Sequence, residues 1–246
     1  MFELIYILAA TMINGLVAFV GAFSLFVKEK YLKKILLLLV AFSAGALLSG
    51  GLLHLLAESL EFLEADTAFL IAIFGFSMFF VIERFLHWHH CHEGVCDVHS
   101  FTYMILIGDG VHNFIDGLVI AASFFVSIPF GIMTTILIIG HEIPQELGDF
   151  GALVHGGFDK RKALLFNFGS QLTAVAGGIL GFFLGGEAWF TPLLLPFAAG
   201  GFLYIAASDL IPELHKEADI RKSIVYFIFF SIGIAFMVSI KLLLGG

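Results

Sequence analysis

ILLLLVAFSAGALLSGGLLHLLA, residues 35–57, contains no Lys, Arg, Asp or Glu, and His54 is its one titratable side chain. A helix of that length reaches across the roughly 30 Å hydrocarbon core of a bilayer. The strict apolar and polar alternation of a half-buried strand is absent. Working outward, seven more apolar stretches occupy residues 2–27, 67–85, 102–126, 129–154, 163–184, 190–211 and 223–244, separated by charged or Gly/Pro-containing joints. Of the 246 residues only 13% are charged and 60% are hydrophobic, where a soluble domain carries about 25% charge. That balance excludes a soluble enzyme, a nucleic-acid binder and a disordered chain. In lipid each segment must satisfy its own backbone, so the expectation is an all-α membrane protein of eight transmembrane helices, one polytopic domain over residues 1–246.

Basic residues give the sidedness. Lys28, Lys30, Lys33 and Lys34 lie between spans 1 and 2, Arg84 follows span 3, Lys160, Arg161 and Lys162 lie between 5 and 6, and Lys216, Arg221 and Lys222 between 7 and 8. Lys241 alone falls at the other side. The positive-inside rule makes those joints cytoplasmic and places both termini outside, in a multi-pass protein of the cell membrane. Span 1 begins at Phe2 with no basic leader, as expected of a retained helix and not of a cleaved signal. Glu58, Glu61, Glu64 and Asp66 then form an external acidic rim, either a solvated turn or a mouth that attracts cations.

Span 2 reads Phe42-Ser43-Ala44-Gly45 and then His54 to Glu58, while span 7 reads Phe197-Ala198-Ala199-Gly200 and then Asp209 to Glu213. In both, Gly precedes the His or Asp (His54, Asp209) by nine positions and the final carboxylate by thirteen. The two spans run in opposite directions. Matched sequence on opposed helices predicts a 3+2+3 arrangement, with inverted repeats around helices 4 and 5.

Those two central spans hold the costly residues: Asp109, His112, Asn113 and Asp116 on span 4, and His141, Glu142, Gln145, Glu146 and Asp149 on span 5. A carboxylate at mid-bilayer costs about 2.5 to 3.5 kcal/mol on the insertion scale. No Lys or Arg lies mid-span to compensate, so the missing charge is a mobile cation, protons or both. His112 and Asp116 are four apart, as are His141 and Gln145, and each pair shares a helix face. Imidazole nitrogen mixed with carboxylate and amide oxygen suits Zn²⁺, Fe²⁺ or Mn²⁺ better than Mg²⁺ or Ca²⁺. Pro144 cannot donate to the carbonyl of Gly140 and frees an acceptor beside the cluster. Asn167 and Gln171 read as interhelical glue. The expected path begins near His54 and Glu58, crosses the central residues and leaves past Asp109, Glu146, Asp149, Asp209 and Glu213.

Between spans 3 and 4, within residues 87–100, stand His87, His89, His90, Cys91, His92, Cys96 and His99. On the cytoplasmic side these thiols are expected as metal ligands and not as a disulfide. Cys-x4-Cys with scattered His matches no structural zinc finger, which predicts a loose, exchangeable site.

His112-Asn113-Phe114-Ile115-Asp116-Gly117 and the run from His141 through Phe150 strongly resemble the fourth- and fifth-helix motifs of the ZIP (Zrt- and Irt-like) divalent metal transporters. The Asp-Leu-Ile-Pro-Glu ending of span 7 and the His-rich loop extend the resemblance over essentially the whole chain. It implies that His112, Asn113, Asp116, His141, Glu142 and Gln145 line a one- or two-metal site, that transport runs toward the cytoplasm, and that the chain forms a homodimer. Zinc, with Fe²⁺, Mn²⁺ and Cd²⁺ as further candidates, is then cargo, and neither a resident cofactor nor enzymatic activity is expected. Many relatives carry His where this chain has Gln145, which puts strict zinc preference in question. Two other classes compete. His141-Glu142 opens the zincin motif of an intramembrane metallohydrolase or protease, although Gln145 stands where that motif has its second His. A proton-coupled solute carrier is the third.

Overall fold

The computed structural model describes residues 2–23, 29–88, 98–155 and 158–244. Its secondary structure is helical, with no strand among the described residues. Helix α1 runs over Phe2–Gly15 and continues through a 3-10 turn, Leu16–Phe19, into Val20–Phe23. Helix α2 comprises Glu29–Gly50, a π-helical turn at Gly51–Leu56, and Ala57–Ser59. Next come α3 (Ala65–Trp88), α4 (Val98–Val126) and α5 (Ile128–His155). Helix α6 has two halves, Lys160–Gln171 and Thr173–Leu184. Helix α7 joins Phe190–Tyr204, a second π-helical turn at Ile205–Leu210, and Ile211–His215, and α8 is Ile220–Leu244. Each apolar stretch in the sequence thus corresponds to one of these helices.

Among the described residues, seven helices are long and apolar enough to cross a membrane. The one left out is α5, which has 28 residues but spends part of its length on His141, Glu142, Glu146 and Asp149. Its length suffices; its polarity must be masked by neighbours. Ser127, the lone residue between α4 and α5, accepts a hydrogen bond from the Phe130 N–H at 3.2 Å. This N-cap starts α5 immediately and sets it antiparallel to α4. Asp159 does the same for α6, accepting from the N–H groups of Arg161 and Lys162.

Helices α4 and α5 pack on each other, with α6 and α7 also against α4, and α2 and α1 against α5. Helix α8 lies on α2, and α3 on α7. The outer pair turn Leu70, Phe74, Phe227 and Leu242 outward, as lipid-facing helices must. Gly117 and Gly177 set the crossing of α4 over α6. A Cβ on Gly117 would strike the Ala174 carbonyl, and one on Gly177 the Phe114 carbonyl, so the two backbones touch. The expected kink acceptor is also filled: Ser43 on α2 donates its hydroxyl to the Gly140 carbonyl at 2.7 Å, across from Pro144.

Candidate metal site

Antiparallel packing of α4 on α5 brings His112, Asp116, His141 and Glu142 to one point. His141 is held from behind, its Nδ1 lying 3.4 Å from the Leu137 carbonyl. Donation of Nδ1–H to that oxygen turns a bare Nε2 inward. The Nε2 atoms of His112 and His141 are 3.1 Å apart. Asp116 Oδ2 lies 3.2 Å from His141 Nε2 and 3.6 Å from His112 Nε2. Glu142 Oε1 lies 3.2 Å from the first imidazole and 3.3 Å from the second. A regular tetrahedron with zinc-like bonds of about 2.0 to 2.1 Å has edges of about 3.3 to 3.4 Å. These spacings straddle that value. Phe79 of α3 and Phe202 of α7 wall the imidazoles with their rings.

Three of the four side chains are almost wholly buried: Asp116 is 1% exposed, His141 2% and Glu142 0%. Among the described residues no Lys or Arg pairs with them. Support comes instead from amides on α6. Gln171 donates its Nε2 to Glu142 Oε2, and Gln171 Oε1 accepts from Asn14 of α1 at 3.4 Å. One turn away, Asn167 donates to Glu146 Oε2. The break at Leu172 ends the first half of α6 directly after Gln171. Asn167 and Gln171 do hold helices together, as the sequence suggested, but they do so through the site's own carboxylates. Their spacing of four, matched by Glu142 and Glu146, was the available signal; Asn14 gave none.

Asn113 and Gln145 face elsewhere. Both donate to Asp109 Oδ1, at 2.8 and 3.1 Å, and so join a second group formed by Asp109, Glu142 and Glu146. Asp149 is half-buried one turn beyond Glu146. His54 belongs to neither group: it sits in the π-helical turn of α2, bonded to Thr134 Oγ1 at 2.9 Å and stacked on Phe130. Glu58 is half-buried near the end of α2, Asp209 lies in the π-helical turn of α7, and Glu213 is exposed and paired with Lys216. His87 and His99 lie near the ends of α3 and α4, whereas His89, His90, Cys91, His92 and Cys96 fall outside the described residues.

The family model described as "ZIP Zinc transporter" matches residues 2–100 and 89–241. The chain belongs to the ZIP zinc transporter family. It is 43% identical over 129 residues to human zinc transporter ZIP4, covering 51% of this chain and 19% of the relative. It is 38% identical over 146 residues to Arabidopsis thaliana IAA-alanine resistance protein 1, covering 58% of this chain and 31% of the relative. The Caenorhabditis briggsae zinc transporter zipt-7.1 aligns over more of both chains, 83% and 71%, at 28% identity. The chain thus spans about a fifth of human ZIP4, and about a third or less of several other curated relatives it matches. Family and helices together make it a multi-pass membrane protein.

Proposed function

We propose that this ZIP-family chain carries a divalent transition metal, zinc foremost, across the membrane toward the cytoplasm. The observation that carries the reading is the convergence of His112 Nε2, His141 Nε2, Asp116 Oδ2 and Glu142 Oε1 at tetrahedral edge spacing. Two neutral imidazoles and two carboxylates suit a borderline cation and balance its charge. The family match and the relatives named as zinc transporters point the same way. Asn113 and Gln145 act one layer out, fixing Asp109. Neither competing class gains an observation, since residue 145 turns to Asp109 instead of completing a zincin pair.

The 3+2+3 repeat belongs to the same reading. Its support is the pairing of elements: α2 lies on α8 as α7 lies on α3, and α5 meets α2 as α4 meets α7. Gly45 abuts the Phe230 carbonyl of α8, and Gly200, its partner in the sequence repeat, abuts the Ala72 carbonyl of α3. Each repeat helix then opens into a π-helical turn at nearly the same offset. One polytopic domain, external termini, a homodimer and a cell-membrane location complete the proposal; tag accessibility and crosslinking test the last three.

Proteoliposomes containing the chain and a zinc indicator test the function. Zinc entry that saturates with external zinc, and that is absent from protein-free vesicles, is the expected result. A chain that is correctly inserted yet passes no divalent metal refutes the reading.

A further inference from the structure

Glu142 is held from two helices beyond its own. Gln171 of α6 donates Nε2 to Glu142 Oε2, and Asn14 of α1 donates Nδ2 to Gln171 Oε1 at 3.4 Å. Asn14, Gln171 and Glu142 are all wholly buried. Antiparallel packing of α1 on α6 delivers Asn14 to this point. A Cβ on Gly178 would meet Thr11 and Ile7, one on Gly15 would touch Leu172, and the Phe19 ring lies 4.8 Å from that of Phe168, so numbers rise on α1 as they fall on α6. The bond to Gln171 is the one side-chain hydrogen bond of Asn14 among the described residues, and its own Oδ1 is left without a partner. An unpartnered amide oxygen is costly in the interior, so what Asn14 contributes is its donor end. The neighbouring amide has no such backing: Asn167 donates to Glu146 Oε2, but nothing among the described residues donates to Asn167 Oδ1. A second amide thus stands behind Glu142, the carboxylate whose other oxygen faces both imidazoles, and not behind Glu146.

A primary amide donates from one end and accepts at the other, and a half-turn exchanges the two. A flipped Gln171 would press its carbonyl oxygen on the Glu142 carboxylate. Donation from Asn14 to Oε1 opposes that flip from behind, and it polarises the Gln171 amide so that its Nε2–H donates more strongly. We propose that Asn14 is a positioning residue for the metal site: acting through Gln171, it ties Glu142 Oε2 back and keeps Oε1 turned to His112 and His141. This rests on the reading of the histidine set as a metal site. Partners that stand behind a metal-binding carboxylate orient it and raise the affinity of the site. Simple joining of α1 to α6, the other role open to such an amide pair, would leave zinc affinity untouched.

The test uses the full chain in lipid nanodiscs, with zinc binding followed by equilibrium dialysis and unfolding followed by heat. Asn14→Leu is expected to weaken zinc binding about 2- to 10-fold, the worth of one neutral hydrogen bond. In a Gln171→Leu background the same substitution is expected to add nothing, because the residue through which Asn14 acts has gone. Asn14→Ala takes the place of the leucine variant should that chain fail to insert. Unchanged zinc affinity in the folded Asn14 variant overturns the proposal and assigns the residue to helix packing, whatever the melting temperature does. Losses that multiply in the double variant overturn it as well, since Asn14 then acts by a route other than Gln171. Absence of tight zinc from the wild type overturns the histidine set and this positioning role together.

Discussion

His112 Nε2 and His141 Nε2 stand 3.1 Å apart at the contact of α4 with α5, with carboxylate oxygens of Asp116 and Glu142 beside them. One proton at most fits between two such nitrogens. Without a cation, four lone-pair-bearing atoms confront one another in a largely buried cluster without Lys or Arg partners among the described residues. A divalent ion at their centre would convert that opposition into four bonds, as the proposed function requires.

His112→Ala, Asp116→Ala and Glu142→Ala are each expected to reduce zinc uptake to background while leaving membrane insertion intact. Uptake in proteoliposomes, normalised to inserted protein, is the measurement. Near-normal rates in two of the three contradict the site.

Gln171→Leu removes the amide that holds Glu142 Oε2. Loss of such a support for a metal-binding carboxylate costs about 10- to 100-fold in affinity. Zinc affinity is therefore expected to fall within that range, with the number of tight sites unchanged. A lower melting temperature with unaltered affinity would assign Gln171 to packing alone.

Gln145→His is expected to raise the ratio of zinc to manganese uptake under direct competition. The substitution places an imidazole where an amide now donates to Asp109, and nitrogen favours zinc over manganese. An unchanged ratio would separate residue 145 from the ion's path.

Gly45→Val pushes a side chain against the Phe230 backbone of α8, and overpacking of this kind costs about 1 to 3 kcal/mol. Gly151→Ala meets nothing within 4 Å, and its better helix propensity is worth up to about 1 kcal/mol. Thermal unfolding in detergent should lower the midpoint for the first and hold or raise it for the second.

Replacing residues 89–97 by a Gly/Ser segment of equal length is expected to preserve zinc uptake, because the candidate ligands on α4 and α5 lie elsewhere, and to weaken zinc binding by that segment. Complete loss of uptake by an inserted variant would make that segment part of the path.

Residues 35–57 and their seven counterparts determined helices of membrane length by themselves, because insertion into lipid depends on local apolar content and the backbone is satisfied within each segment. Local spacing likewise put His112 and Asp116 on one face, since residues four apart share a face whatever the helix later touches; that Glu142, next to His141, joins them was decided by the packing of α4 on α5. Pro144 also announced its free acceptor, although only packing supplied Ser43 as the donor. What needed the tertiary structure was the side of each carboxylate left bare. Gln145 shares a face with His141 yet points to Asp109, since side-chain direction is settled by partners on other helices. Asn167 and Gln171 reach α5, and Asn14 reaches Gln171, from segments distant in sequence, through helix crossings that local spacing does not encode. The π-helical turns in α2 and α7 were equally invisible, because a single extra residue per turn is stabilised by neighbouring helices and leaves no mark in the apolar pattern.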